Sequence, residues 1–280
     1  MRSMMSTCVW FLMGLLFVLS GCERDAPEGA SPGATGTDGD RLEQSPRHHE
    51  WVDLTTATGR TVRAYVTYPE VSEAATAVVI IHENRGLTPW VRSLSDQAAE
   101  AGYVAIAPDL LSGSGPAGGG TESFASGDAA RKAIYDLSSD QVLSDLDAAA
   151  DYVRGLASTT DQVSVTGFCW GGGQAFDYAC HRADIEAAFV FYGRATDAGR
   201  MADIQAPVYG FYGGNDHRIT ASVPEVIEAM QARGKTYLPV VYDGAGHGFM
   251  RSGEADDADP ADVEARNKAW TRWTTLHAEF

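Results

Sequence analysis

The segment from His48 to Phe280 predicts an α/β protein: a mainly parallel sheet with helices on both faces. Short apolar runs rich in β-branched residues alternate along it with stretches whose apolar residues recur every three to four positions. Two of the runs, Ala77–Ile81 and Ala187–Tyr192, are almost continuously apolar, as strands buried on both faces should be. No internal repeat divides the segment, so one domain is the economical reading.

Strands are expected at Arg63–Thr67, Ala77–His82, Tyr103–Ala107, Val163–Gly167, Ala187–Tyr192, Val208–Tyr212 and Tyr237–Tyr242. Between them, Val142, Leu143, Leu146, Ala149, Ala150 and Val153 mark one face of a long helix. A shorter helix is expected from Gln174 to Cys180, and another carries Val223, Val226, Ile227 and Met230. The last helix runs from about Ala261 to His277 and includes Trp270 and Trp273.

Net charge is −17. A surface so acidic repels phosphate backbones, which excludes nucleic-acid binding as the main function. The four cysteines (Cys8, Cys22, Cys169 and Cys180) are too few for a disulfide scaffold and contain no C-x-x-C pair for zinc. Cys180 lies eleven residues after Cys169, about 16 Å along a helix, so the two should not pair.

Residues 1–21 have the features of a secretory signal: Arg2, an apolar run from Cys8 to Leu19, and small residues before Cys22. That run is shorter than the roughly 20 residues a membrane-spanning helix needs. The ending Leu19-Ser20-Gly21-Cys22 resembles the lipobox of bacterial lipoproteins, which implies a diacylated Cys22 as the new N-terminus. Residues 22–47, rich in Gly, Pro, Ser, Thr and acids, read as a flexible tether carrying the domain of residues 48–280. The expected location is the cell envelope, facing the periplasm or the cell surface, with the lipid as the membrane contact. A monomer is expected.

An apolar strand runs into Gly167-Phe168-Cys169-Trp170-Gly171 and then a helix, the strand–turn–helix setting of a nucleophile elbow with cysteine as nucleophile. Small residues at 167 and 171 let strand and helix cross without collision, and the helix N-terminus favours negative charge at the sulfur. The alternative is a buried structural cysteine. Partners in the order acid, then histidine, follow later strands: Asp216 in Gly213-Gly214-Asn215-Asp216, and His247 in Gly244-Ala245-Gly246-His247-Gly248-Phe249. Both sit at carboxyl ends of strands, where open α/β sheets place their sites. A histidine between glycines has little packing role; Asp216 has a rival in Asp243. In this reading His247 moves the proton and Asp216 fixes its tautomer.

These motifs, in this order and spacing, resemble the dienelactone hydrolase family of the α/β-hydrolase fold over about residues 50–280. The run Ile81-His82-Glu83-Asn84-Arg85-Gly86 adds to the resemblance. It implies that Glu83 holds the resting thiol and changes partner when substrate arrives. From the residues alone, a carboxylate at the tip of a buried strand needs a partner, which a structural salt bridge would also supply. The backbone N–H groups of Trp170 and Asn84 are expected to form the oxyanion hole. The resemblance further implies substrate-carboxylate binding by Arg251 and by a second arginine, for which Arg131 is the nearest candidate. The intervening segment is about one helical turn shorter than the family pattern, and Leu111–Gly127 is glycine-rich, so the pocket rim is expected to differ.

The implied activity is hydrolysis of a carboxylic ester or lactone through an acyl-thioester, with no metal or organic cofactor. Two alternatives stay open. One is a broad thiol carboxylesterase with an uncharged acyl pocket, suggested by Trp90, Trp170, Phe124, Tyr192 and Phe249; the other is a non-catalytic binding lipoprotein. The G-x-G-x-x-G match at Gly113–Gly118 contains Pro116 and opens no helix, so it does not read as a dinucleotide site. The acidic run Glu254–Asp259 lacks calcium-loop spacing and reads as a solvated connection. His82 reads as incidental.

Overall fold

The computed structural model describes residues Asp38–Phe280; the expected signal segment and Cys22 lie outside the described residues. Eight strands form one sheet: β1 (His49–Thr55), β2 (Thr61–Thr67), β3 (Ala75–Ile81), β4 (Val104–Pro108), β5 (Thr159–Phe168), β6 (Ala188–Phe191), β7 (Val208–Gly213) and β8 (Tyr237–Tyr242). Their order across the sheet is β1-β2-β4-β3-β5-β6-β7-β8. β2 pairs antiparallel with β1 and β4, and every other pairing is parallel. The α/β architecture with a mainly parallel sheet is therefore as expected. The one strand the sequence did not reveal is β1. It is an edge strand with a single buried residue, Leu54, so it needs no apolar run to signal it.

The helices cover both faces. Along β3, side chains alternate between two cores, as the pleat requires. Val79 and Ile81 join the core beneath α4 (Ser139–Arg154) and α5 (Trp170–His181) with Leu146 and Phe176, and α7 (Val223–Gln231), farther along the sheet against β8, adds Met230 to the same core. Val78 and Ile80 face α2 (Pro89–Glu100) and α9 (Pro260–His277), meeting Leu94 and Trp273. Each such aliphatic side chain contributes about 1.5–3 kcal/mol by leaving water. Two polar bonds fix α9 to β5: Trp273 Nε1 donates to Thr166 Oγ1 at 2.9 Å, and His277 Nε2 lies 2.8 Å from Ser164 Oγ.

Across the sheet centre Phe168, Phe191 and Phe211 stand in register on adjacent strands. Their rings stack with centroids 4.7 Å and 4.1 Å apart. Such pairs add about 0.5–1.5 kcal/mol beyond their burial. They lock the register that sets the loops after β5, β6 and β7 side by side.

Two expectations are corrected. Residues 38–47 are part of the folded unit rather than tether: a helix, α1 (Asp38–Gln44), packs on α2, and Leu42 joins the second core. The reason is Asp96, whose buried carboxylate needs a cation. Arg47 grips it with two bonds of 2.9 and 2.7 Å, and Arg41 bonds Glu100 at 2.7 Å. Likewise the acidic run after residue 253 is not simply solvated. Glu254 accepts from Trp90 Nε1 at 2.8 Å, from Gln97 Nε2 at 2.9 Å, and from Arg266. Among the described residues no helix is long and apolar enough to cross a membrane.

Candidate active site

β5 ends at Phe168, and the chain turns through Cys169 straight into α5. The helix begins at Trp170, four residues before the start read from the sequence. Cys169 adopts φ 56° and ψ −116°, a region costing a non-glycine residue about 1–3 kcal/mol. The strain is held by a bond from its N–H to the Phe191 carbonyl at 3.0 Å and by the crossing of strand and helix. At that crossing a Cβ on Gly167 would run into the backbone of Gly171, and one on Gly171 would run into the carbonyls of Ile81 and His82.

The cysteine sulfur lies 3.1 Å from His247 Nε2, and His247 Nδ1 lies 2.5 Å from Asp216 Oδ2. Asp216 is buried at the end of β7, before the short helix α6 (His217–Thr220). Asn215 ties the two loops together: its N–H donates to the Ala245 carbonyl at 2.9 Å and its Nδ2 to the Gly244 carbonyl at 2.7 Å. Asp243, the rival acid, is exposed and makes no hydrogen bond to the ring among the described residues. Tyr192 presents its ring edge-on to His247, centroids 5.1 Å apart. Its backbone is also in the left-handed region, at φ 39°, and its buried hydroxyl has no hydrogen-bond partner among the described residues.

The placement of Glu83 differs from the expectation. Its carboxylate accepts from Arg251 Nε at 3.0 Å and makes no hydrogen bond to the thiol. A guanidinium is a far stronger partner for a carboxylate than an S–H donor, and Arg251, on α8 (Phe249–Ser252), comes within reach. Arg251 thus stands at the site already bonded. Arg131, on α3 (Gly127–Tyr135), also lines the site and is held only by an exposed pair with Asp128 at 3.3 Å. His82 is not incidental. It is fully buried, stacks on Trp170 at 5.7 Å, bonds the Glu83 carbonyl through Nδ1 at 2.8 Å, and accepts from the Leu110 N–H at 3.3 Å. It braces the segment that carries Glu83 and Asn84. Its contacts with Leu110 and Trp170, remote in sequence, reveal that role.

Burial pushes the Cys169 thiol above its ordinary pKa, and the nearby Glu83 carboxylate pushes it further. The backbone N–H groups of Trp170 and Asn84, and the charge of Arg218, act in the opposite direction and are outweighed. Those two N–H groups converge on the sulfur from the turn after β5 and the turn after β3. A raised pKa means the resting group is a thiol at neutral pH. Iodoacetamide alkylation of Cys169 should therefore rise with pH to a midpoint above that of a free cysteine. Glu83→Gln, by removing one negative charge, should move that midpoint down. A midpoint at or below the free-cysteine value in the wild type would contradict this electrostatic account.

The cleft in front of the sulfur has a volume of about 680 Å³ and is lined by Glu83, Asn84, Trp170, Tyr192, Asp177 and five arginines. Of the aromatic residues read as an acyl pocket, only Trp170 and Tyr192 reach it. Trp90 and Phe249 are core residues, and Phe124 packs on a satellite cluster with Leu111 and Ile134. Cys180 is a separate free cysteine, and among the described residues no cluster could hold a metal ion.

Residues 62–280 match the model of the dienelactone hydrolase family. A protein of Methylorubrum extorquens provisionally named carboxymethylenebutenolidase is 31% identical over 75% of this chain and 74% of its own length. Carboxymethylenebutenolidase 1 of Cupriavidus pinatubonensis is 29% identical over 72% of this chain and 86% of its own. Among solved structures, a provisionally assigned dienelactone hydrolase of Klebsiella pneumoniae superposes with a TM-score of 0.73 at 25% identity, covering 84% of this chain and 99% of that one. With its α/β-hydrolase fold, the chain belongs to the dienelactone hydrolase family and is a hydrolase of that type.

Proposed function

We propose that the protein hydrolyses a carboxylic ester or lactone through an acyl-thioester on Cys169. One observation carries the reading: the relay Sγ–Nε2 at 3.1 Å and Nδ1–Oδ2 at 2.5 Å, set on a strained turn that faces the cleft. A binding protein has no need to maintain a strained cysteine beside a histidine and a buried acid.

The cysteine sulfur attacks the carbonyl carbon as its proton passes to His247 Nε2. The carbonyl oxygen, now negative, accepts from the N–H groups of Trp170 and Asn84. Collapse breaks the C–O bond, and the departing oxygen takes the proton from His247. Water then gives a proton to His247 as it attacks the thioester; the C–S bond breaks, the acid leaves and the thiol is restored. Asp216 keeps His247 in the tautomer with its proton on Nδ1 and supports the imidazolium. A substrate carboxylate near Arg251 competes with Glu83 for the guanidinium, so binding alters the charge beside the sulfur. The charged lining of the cleft speaks against the uncharged acyl pocket.

Cys169→Ala should lower kcat/KM on a simple aryl ester by about 10³ or more. Wild-type turnover that survives the substitution would defeat the thiol mechanism. For the envelope, we propose that Cys22 carries the lipid. In an expressing bacterium, radiolabelled palmitate should enter the full chain but not its Cys22→Ser variant; equal labelling of both would reject the anchor.

A further inference from the structure

Resting on the hydrolase reading above, we propose that the substrate is a dianion, with a carboxylate on each side of the scissile acyl bond. Arg194 and Arg218 hold the second carboxylate.

The chain is strongly acidic, and its arginines have many carboxylates to choose from. Ten of the described arginines are paired with one, Arg131 and Arg251 among them. Arg63 and Arg272 lie over aromatic rings, and Arg233 donates to the Ala229 carbonyl. Only Arg85, Arg194 and Arg218 have no such partner among the described residues, and all three line the cleft in front of Cys169. They join Arg131 and Arg251 there. The two acids in the lining do not neutralise this group: Glu83 is bonded to Arg251, and Asp177 to Arg200 at 2.8 Å. Arg85, Arg194 and Arg218 are exposed, and a cleft focuses the field of such gathered like charges on whatever enters.

The topology sorts four of these arginines into two groups, while the fifth, Arg251 on α8 after β8, reaches across to Glu83 after β3. Strand order at the cleft is β4-β3-β5-β6-β7-β8, with Cys169 following β5 in the middle. Arg85 follows β3, with its side chain against Gly127 at the start of α3, and Arg131 lies on α3 after β4. Arg194 follows β6, its backbone beside Gly173, and Arg218 follows β7 in α6. Arg218 is close enough to act on the Cys169 sulfur. Cations therefore stem from strands on both sides of the nucleophile. A carboxylate on one half of an ester satisfies one group alone, whereas a carboxylate on each half satisfies both, each guanidinium offering two parallel N–H donors.

Four esters test this: phenyl hexanoate, phenyl hydrogen adipate, 4-carboxyphenyl hexanoate and 4-carboxyphenyl hydrogen adipate, each rate corrected for reactivity towards hydroxide. The dianion should exceed the better monoanion in kcat/KM by about tenfold or more, one good ion-paired contact. Arg194→Ala/Arg218→Ala should collapse that ratio to within about twofold of unity, and the double lysine variant should restore part of it. Arg233→Ala, remote from the cleft, should leave the ratio unchanged. A dianion no faster than the better monoanion, or a ratio that survives the double alanine variant, overturns the inference while leaving the hydrolase reading intact. If no ester of the four is turned over, both fall.

Discussion

The site depends on one turn. Cys169 is held at φ 56° between a strand and a helix that touch backbone to backbone, and nothing local would keep it there. What keeps it there is the sheet. The stacked phenylalanines fix β5, β6 and β7 in register, and the Phe191 carbonyl on the neighbouring strand accepts the Cys169 N–H. The same register sets Asp216 against His247 and, through the Asn215 bonds, brings the His247 loop within reach of the sulfur. A few kcal/mol of aromatic and aliphatic packing beneath the turn exceeds the roughly 1–3 kcal/mol of strain stored in it.

Electrostatics at the turn are divided. Burial and Glu83 favour the protonated thiol, while two N–H groups and Arg218 favour the anion. Protonation protects a cysteine, because the thiolate is the form that oxidants attack. The Glu83–Arg251 pair joins the resting state to the charge of a ligand. In the proposed mechanism an anion that reaches Arg251 competes with Glu83 for the guanidinium and so alters the charge balance around the sulfur. A cleft lined by five arginines sits in an otherwise acidic protein, so its field favours anions where the rest of the surface repels them.

Much of this was legible in the sequence because it is local. Buried parallel strands appear as apolar runs, the turn as Gly167, Cys169 and Gly171, and the acid and histidine as loop residues after strands in the expected order. What was not legible is pairing across long separations. β1 is an edge strand with little to bury, and α1 is polar, so neither has a local signature; the segment that follows α1 is held through Arg47 by Asp96, far along the chain. Glu83 and Arg251 are 168 residues apart, and their bond replaces the thiol contact expected of Glu83. Glu254 sits in an acidic run typical of a surface connection, and its partners Trp90, Gln97 and Arg266 lie elsewhere in the chain. His82 gained its role only from Trp170 stacked upon it.

The central claim is a covalent bond to one sulfur. Wild-type protein quenched with acid during turnover of an aryl ester, digested and analysed by mass spectrometry, should carry one acyl group on the peptide containing Cys169, released by neutral hydroxylamine as a thioester is. Product formation with that peptide unmodified, or with the acyl group on another residue, would contradict the account.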